Sequence, residues 1–248
     1  MGVLSWLKNL DNNTLYYPGC LTKNALKKEF DNYKAILNML GVDFIMIHDE
    51  VCCGLPVLNA GYKKDARKLV KENYDLFKKY GVKKIITNCP SCYNMFKEEY
   101  KKVLREWDIE VEHISITILN ALKRKNVKFN GQIENVSYHD PCHLGRYGGI
   151  YNEPREVIEI LGGKIIEMKH NRENSLCCGA GGGMRANFKE IAEEGAKQRL
   201  LEVPAMADKV ISPCGLCYSN LSISPKSEEF SSFVLRKLNE IKVSGGLR

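Results

Sequence analysis

Apolar positions along this chain alternate between two rhythms. Short runs of consecutive apolar residues read as buried strands, and longer stretches with an apolar residue every three or four positions read as amphipathic helices. Leu15 to Tyr17 is a short β-rich run that stops at Pro18-Gly19. Leu26, Phe30, Tyr33, Leu37 and Leu40 then recur at helical spacing, and Gly41 ends that helix. Val42 to Ile47 predicts a strand that ends just before Cys52-Cys53-Gly54. Ala66, Leu69, Val70, Tyr74 and Phe77 line one face of a second helix, closed by Gly81. Lys84 to Thr87 predicts a strand running into Cys89, with a helix from Asn94 to Arg105 after it.

The order then repeats. Ile133 to Tyr138 is a strand, Arg155 to Leu161 a helix and Lys164 to Met168 a strand. Phe188 to Leu201 is a helix and Lys209 to Ser212 a strand. Strands alternating with helices predict an α/β fold of parallel βαβ layers, Rossmann-like in each half. Each group of cysteines falls near the carboxyl end of a strand, the edge at which open α/β sheets place their ligands.

The cysteines show that this is a duplication. Positions 20, 52, 53, 89 and 92 are followed by 142, 177, 178, 214 and 217. The last four of each set are 125 residues apart, and the first members 122 apart. Their neighbours match too. Pro18-Gly19-Cys20 parallels Asp140-Pro141-Cys142, Cys52-Cys53-Gly54 parallels Cys177-Cys178-Gly179, and Cys89-Pro90-Ser91-Cys92-Tyr93 parallels Cys214-Gly215-Leu216-Cys217-Tyr218. The chain is expected to divide into residues 1–131 and 132–248, two tandem pseudo-symmetric halves. The polar stretch Asn126 to Gln132 is too short for a flexible linker, so the halves should pack together.

Composition narrows the class. With 248 residues, 44% of them apolar and 27% charged, the chain is an ordinary globular protein, large enough for one sizeable domain or two small ones. No apolar run approaches the ~18 residues of a membrane span. The N-terminus lacks the basic start and apolar stretch of a secretory signal, and Trp6 breaks the myristoylation pattern. Val3 to Leu10 reads as a short amphipathic helix. The expected compartment is the reducing cytoplasm, where clustered cysteines bind metal or do redox chemistry more often than they form disulfides. The formal charge of +7 comes mostly from lysines scattered in pairs such as Lys63-Lys64, a solvated surface. No basic stripe with interleaved aromatics supports nucleic-acid binding.

Four chemistries compete for five cysteines per half. Disulfides disagree with the compartment, and the vicinal pairs would close strained rings. Zinc takes four ligands and leaves a thiolate over in each set. A thioredoxin-like pair at Cys89/Cys92 or Cys214/Cys217 leaves three cysteines unexplained. An iron–sulfur cluster uses thiolates and has several irons to share them. Cys92 at a helix start is favoured as a thiolate by the helix dipole. The run Cys177-Cys178-Gly179-Ala180-Gly181-Gly182-Gly183 lets backbone N–H groups approach sulfur. It is not a phosphate-binding P-loop, because no Lys-Ser/Thr follows.

One cysteine, a CCG about 30 residues on and a CxxC about 35 further resembles the cysteine-rich CCG domain. That domain occurs in the B and D subunits of heterodisulfide reductase and in the iron–sulfur subunits of glycolate and lactate oxidases. Tyr138-His139-Asp140-Pro141-Cys142-His143-Leu144-Gly145-Arg146 and Asn171 through Gly182 are similar to the D-subunit type, and the resemblance runs from about Leu15 to Leu238. It implies two noncubane [4Fe-4S] clusters, one on Cys20, Cys52, Cys53, Cys89 and Cys92 and one on Cys142, Cys177, Cys178, Cys214 and Cys217. It also implies an oxidoreductase subunit that reduces a thiol disulfide held between the clusters. The alternative is an electron-transfer relay for a flavin-dependent dehydrogenase, and a third reading is a metal-stabilised scaffold with no redox role. Only nineteen residues, none a cysteine, precede Cys20, so the ferredoxin-like segment of the D-type proteins is expected on a separate partner, a ferredoxin-like or flavin subunit.

Beyond the cysteines, His143 and Arg146 have no counterparts in the first half and are the candidate substrate-binding residues, Arg146 for a carboxylate or sulfonate. Arg172 and Arg185 flank the second CCG. His139 and Asp140 are expected to shape the cysteine loop, His48 and His113 to be structural, and Tyr93 and Tyr218 to pack over the clusters. Five thiolates around a core of about +2 carry roughly −3, so two such sites bring the net charge to about +1.

Overall fold

A computed structural model describes residues 13–243. The helix expected at Val3 to Leu10 lies outside the described residues. The two most apolar strand sequences form where expected: Lys84–Thr87 (β2) and Lys209–Ser212 (β6), each with its last three residues buried. β2 lies between Thr14–Tyr16 (β1) and Glu110–His113 (β3) in a three-stranded parallel sheet. β6 lies in a four-stranded sheet in the order β5-β4-β6-β7, with Glu134–Tyr138 (β4), Gly163–Ile165 (β5) and Ser227–Glu229 (β7). All pairings are parallel. The strand expected at Val42 to Ile47 is reduced to a single parallel bridge from Ile45 to Leu15. That bridge stands where β5 stands in the second sheet, so both halves share one topology.

The helices cover the sheets. In the first half they are Cys20–Asn24 (α1), Lys27–Met39 (α2), Leu55–Asn59 (α3) and Lys63–Lys79 (α4). Pro90–Asn94 (α5) continues through a π-helical turn, Met95–Glu99, into Tyr100–Val103 (α6). Ile114–Arg124 (α7) leaves directly from β3. The second half has Asn152–Ile160 (α8), Met184–Asn187 (α9), Lys189–Leu200 (α10), Gly215–Leu221 (α11) and Phe230–Val243 (α12).

The halves pack by exchange. α12 of the second half lies on α2 of the first, and α7 of the first lies on α8 of the second. One core therefore crosses the duplication, joining Ile36, Leu37, Ile118 and Leu122 to Val157, Ile158, Phe233 and Leu238, all fully buried. Each such side chain contributes roughly 1.5–3 kcal/mol by leaving water. Tyr33 seals the junction by donating its hydroxyl to Glu229 Oε1 at 2.6 Å. Within each sheet the strands are parallel, so their carboxyl ends share one edge, and Cys20, Cys89, Cys142 and Cys214 each follow closely on such an end.

Candidate metal centre

The five thiols of each half meet in space. Cys20 hydrogen-bonds Cys52, Cys52 pairs with Cys53, Cys53 with Cys92 and Cys92 with Cys89. The second set repeats the chain: Cys142, Cys177, Cys178, Cys217, Cys214. The sulfurs of Cys178 and Cys217 are 3.2 Å apart. Cys53, Cys92, Cys178, Cys214 and Cys217 are buried, whereas Cys20 and Cys177 are exposed.

Local backbone shape explains the convergence. Gly54 and Gly179 both sit at positive φ, +97° and +85°, which turns the chain straight after each vicinal pair. Their N–H groups then donate to Cys52 Sγ at 3.5 Å and Cys177 Sγ at 3.4 Å. Asn73 Nδ2 donates to the carbonyl of Cys52 at 3.0 Å, and Asn220 Nδ2 to that of Cys178 at 2.6 Å. β2 and β6 deliver Cys89 and Cys214 as the N-caps of α5 and α11.

The electrostatics are those of a site built around positive charge. Hydrogen bonds from Cys20 and Cys142 pull Cys52 and Cys177 far below the usual thiol range. Hydrogen bonds from the Cys92 thiol and from the backbone of Ser91 and Cys92 bring Cys89 down to about 7. Cys20 and Cys142 are pushed up, because each gives its hydrogen to the thiolate beside it, is partly desolvated and faces like charge. A multivalent cationic centre removes that conflict. The all-sulfur donor sets therefore fit an iron–sulfur cluster in each half.

The second set opens onto a cleft of about 760 Å³ between the halves. Cys142, Cys177, His143 and Arg146 line it from one side, and Leu55 and Glu98 from the other. It adjoins a hollow of about 510 Å³ that reaches Cys178, Cys214 and Cys217. Cys20 and Cys52 of the first set line a separate hollow of about 180 Å³ with Lys23 and Glu50. Burial pushes Glu50 up to about 7, against the pull of Lys23 at 3.2 Å.

His143 and Arg146 thus both line the cleft. His143 Nδ1 is 3.5 Å from Cys142 Sγ, and burial lowers its pKa. Arg146 Nη1 donates to the carbonyls of Glu173 and Ser175 at 3.1 and 2.8 Å, tying the Cys142 loop to the segment before the second CCG. No carboxylate among the described residues pairs with it. Asp140 shapes the loop as expected: it takes a bidentate bond from Arg155 at 2.6 and 2.9 Å and the N–H of Arg172 at 2.9 Å. His113 is structural, accepting from the N–H of Ser115 at the start of α7. Tyr93 packs on Leu144 and Ile150 across the junction of the halves.

Asn73, Arg199 and Asn220 escaped the sequence reading. Each carries a detectable signal, a polar residue on an apolar helical stripe: Asn73 between Val70 and Phe77, and Arg199 in step with Ala192 and Ala196.

Parallel sheets with a convergent five-thiol set in each half define a duplicated, cysteine-rich α/β protein. The cysteine-rich domain family CCG matches residues 14–97 and 136–222, and the chain belongs to that family. It is 35% identical over 217 residues to the D subunit of the dihydromethanophenazine:CoB–CoM heterodisulfide reductase of Methanosarcina barkeri, covering 84% of this chain and 53% of that protein. It is 32% identical over 212 residues to an uncharacterized iron-sulfur protein of Methanocaldococcus jannaschii, covering 85% and 41%. It is 30% identical over 230 residues to the EtfAB:quinone oxidoreductase of Syntrophomonas wolfei, covering 87% and 32%. The chain spans about half the length of these relatives or less. Among solved structures, an aspartate racemase of Picrophilus torridus superposes with a TM-score of 0.43 at 11% identity, covering 94% of this chain and 95% of that one. No helix among the described residues is long and apolar enough to cross a membrane.

Proposed function

We propose that this chain is an iron–sulfur oxidoreductase subunit with two [4Fe-4S] clusters of the noncubane type, which reduces a thiol disulfide. One cluster is held by Cys20, Cys52, Cys53, Cys89 and Cys92, and the other by Cys142, Cys177, Cys178, Cys214 and Cys217, in halves that divide at 131/132. Similarity to a heterodisulfide reductase component and to an iron-sulfur protein supports the class. The observation that carries the substrate reading is the cleft: the second set opens onto it beside Arg146, a cation with no carboxylate partner among the described residues.

When bound, such clusters supply single electrons. The chain's own residues bind and orient. Arg146 takes an anionic group of the substrate by charge-assisted hydrogen bonds, and His143 presents an imidazole beside Cys142. Overall, the disulfide takes two electrons and two protons and leaves as two thiols. The electrons come from a separate ferredoxin-like or flavin subunit, and the protein works in the cytoplasm.

The second reading is an electron relay without substrate chemistry of its own, favoured by the similarity to an EtfAB:quinone oxidoreductase. Anaerobically purified protein separates these readings. About eight iron and eight sulfide per chain are expected from two four-iron clusters, and zinc without iron rejects the proposal. Oxidation of a reduced dye by a small thiol disulfide is expected on the first reading. Dye-reducible clusters with no disulfide turnover mark the relay.

A further inference from the structure

Equivalent positions in the two halves differ at a buried place beside the thiols. Tyr17 and His139 each stand three residues before the first cysteine of their set, just past the ends of β1 and β4. Tyr17 donates its hydroxyl to the carbonyl of Val51 at 2.5 Å, so its one hydrogen is spent on backbone. His139 is 1% exposed. A ring nitrogen of His139 and the sulfurs of Cys178 and Cys217 all lie within 4.8 Å of one another.

The tautomer of His139 is set by its neighbour. Arg199 Nε approaches His139 Nδ1 at 3.1 Å. A guanidinium only donates, so Nδ1 accepts and the ring hydrogen sits on Nε2. Arg199 cannot turn away, because its Nη1 is held by the carbonyl of His170 at 2.7 Å and by Glu202 Oε2 at 2.6 Å. His139 Nε2 has no hydrogen-bond partner and is fully enclosed. Leaving a buried donor without an acceptor is unfavourable. Two sulfurs of the second set, those of Cys178 and Cys217, lie within 4.8 Å of a ring nitrogen of His139.

We propose that His139 Nε2–H donates to the sulfur edge of the second centre at Cys178 and Cys217, and that this makes the second centre the easier of the two to reduce. The inference rests on the two-centre reading above. Reduction adds negative charge that spreads onto sulfur, so a fixed donor stabilises the reduced form more than the oxidised one. Tyr17 offers the first centre no such donor. With both centres loaded, this donor would favour the electron on the second, the one that opens on the cleft.

The test is an EPR-monitored redox titration of anaerobic holoprotein with dithionite, with iron and sulfide measured on every sample. His139→Phe should lower one of two midpoint potentials by at least a tenfold change in its reduction equilibrium, 59 mV for a one-electron couple. The other potential should stay put, and His139→Gln, which keeps an N–H, should recover most of the shift. Wild-type iron content with both potentials unchanged in His139→Phe overturns the inference and leaves the two-centre reading standing. Wild-type protein that holds no iron overturns both. A second measurement does not depend on that variant folding. With ¹⁵N-labelled histidine in a His143→Gln background, which removes the other imidazole beside the second set, one reduced centre should show coupling to a histidine nitrogen. No coupling on either centre overturns the inference.

Discussion

Gly179 donates its N–H to Cys177 Sγ at 3.4 Å from a backbone with φ +85°. A Cβ at that glycine would stand 2.6 Å from the carbonyl oxygen of Ala192 in α10. The glycine thus serves twice, aiming a donor at sulfur and letting α10 close over the loop. Gly179→Ala should cost at least ~2 kcal/mol, from left-handed strain of roughly 1–2 kcal/mol and the clash with α10. Gly181 has nothing within 4 Å of its Cβ position, so Gly181→Ala should stay within ~0.5 kcal/mol. Urea unfolding of both variants checks this, and equal midpoints would show that neither the strain nor the clash matters.

Much of the arrangement was legible in the sequence, because a duplication writes each constraint twice. Lys84-Ile85-Ile86-Thr87 and Lys209-Val210-Ile211-Ser212 are central strands buried on both faces, and so read as apolar runs. β3 (Glu-Val-Glu-His) and β7 (Ser-Glu-Glu) were hidden because they are edge strands, where polar residues are tolerated and no apolar run forms. The segment around Ile45 misled for a related reason: it is apolar, yet it meets its sheet at one bridge only. The cysteines announced both sites. What orders them did not, since Asn73, Asn220 and Arg199 are single polar residues whose bonds to Cys52, Cys178 and His139 span 21, 42 and 60 positions.

The junction between the halves carries a pH dependence. Burial pushes the Glu229 carboxyl up to about 7, against hydrogen bonds from Ser231 and Tyr33 that favour its charge. In the unfolded chain the same group titrates near 4.5. Between these values the folded protein keeps a proton that the unfolded chain has released. The contribution of this group to stability is therefore full below pH 4.5, falls as pH rises toward about 7, and is level above that. The drop is on the order of 3 kcal/mol. Glu229→Gln removes the titration and should flatten this part of the profile. Parallel profiles of variant and wild type across the window would show that Glu229 does not contribute.

Phe233 tests whether the halves are energetically one body. It is fully buried on α12, in the core that also takes in Ile36 and Leu37 of α2. Phe233→Ala should cost ~3–5 kcal/mol, the range for deleting a buried ring. Because α12 covers the first half while belonging to the second, both should unfold in the same transition, earlier than in wild type. Two separated calorimetric transitions would contradict a shared core.

The proposed role of Arg146 predicts an anionic substrate. It lines the cleft beside Cys142 and Cys177 and touches protein through Nη1, on the carbonyls of Glu173 and Ser175. A hydrogen bond to a charged group is worth ~1.5–3 kcal/mol. Arg146→Ala should therefore raise KM for an anionic disulfide about tenfold to a hundredfold, with kcat changed much less, since binding and not the electron supply is what it removes. Arg146→Lys keeps the charge but loses the planar fork, and should fall between the two. A disulfide without an anionic group should show no such difference between variant and wild type. The loop contacts of Nη1 give the substitution a second route to damage, so iron content is measured alongside. At wild-type iron, an unchanged KM for the anionic disulfide would take Arg146 out of the binding site.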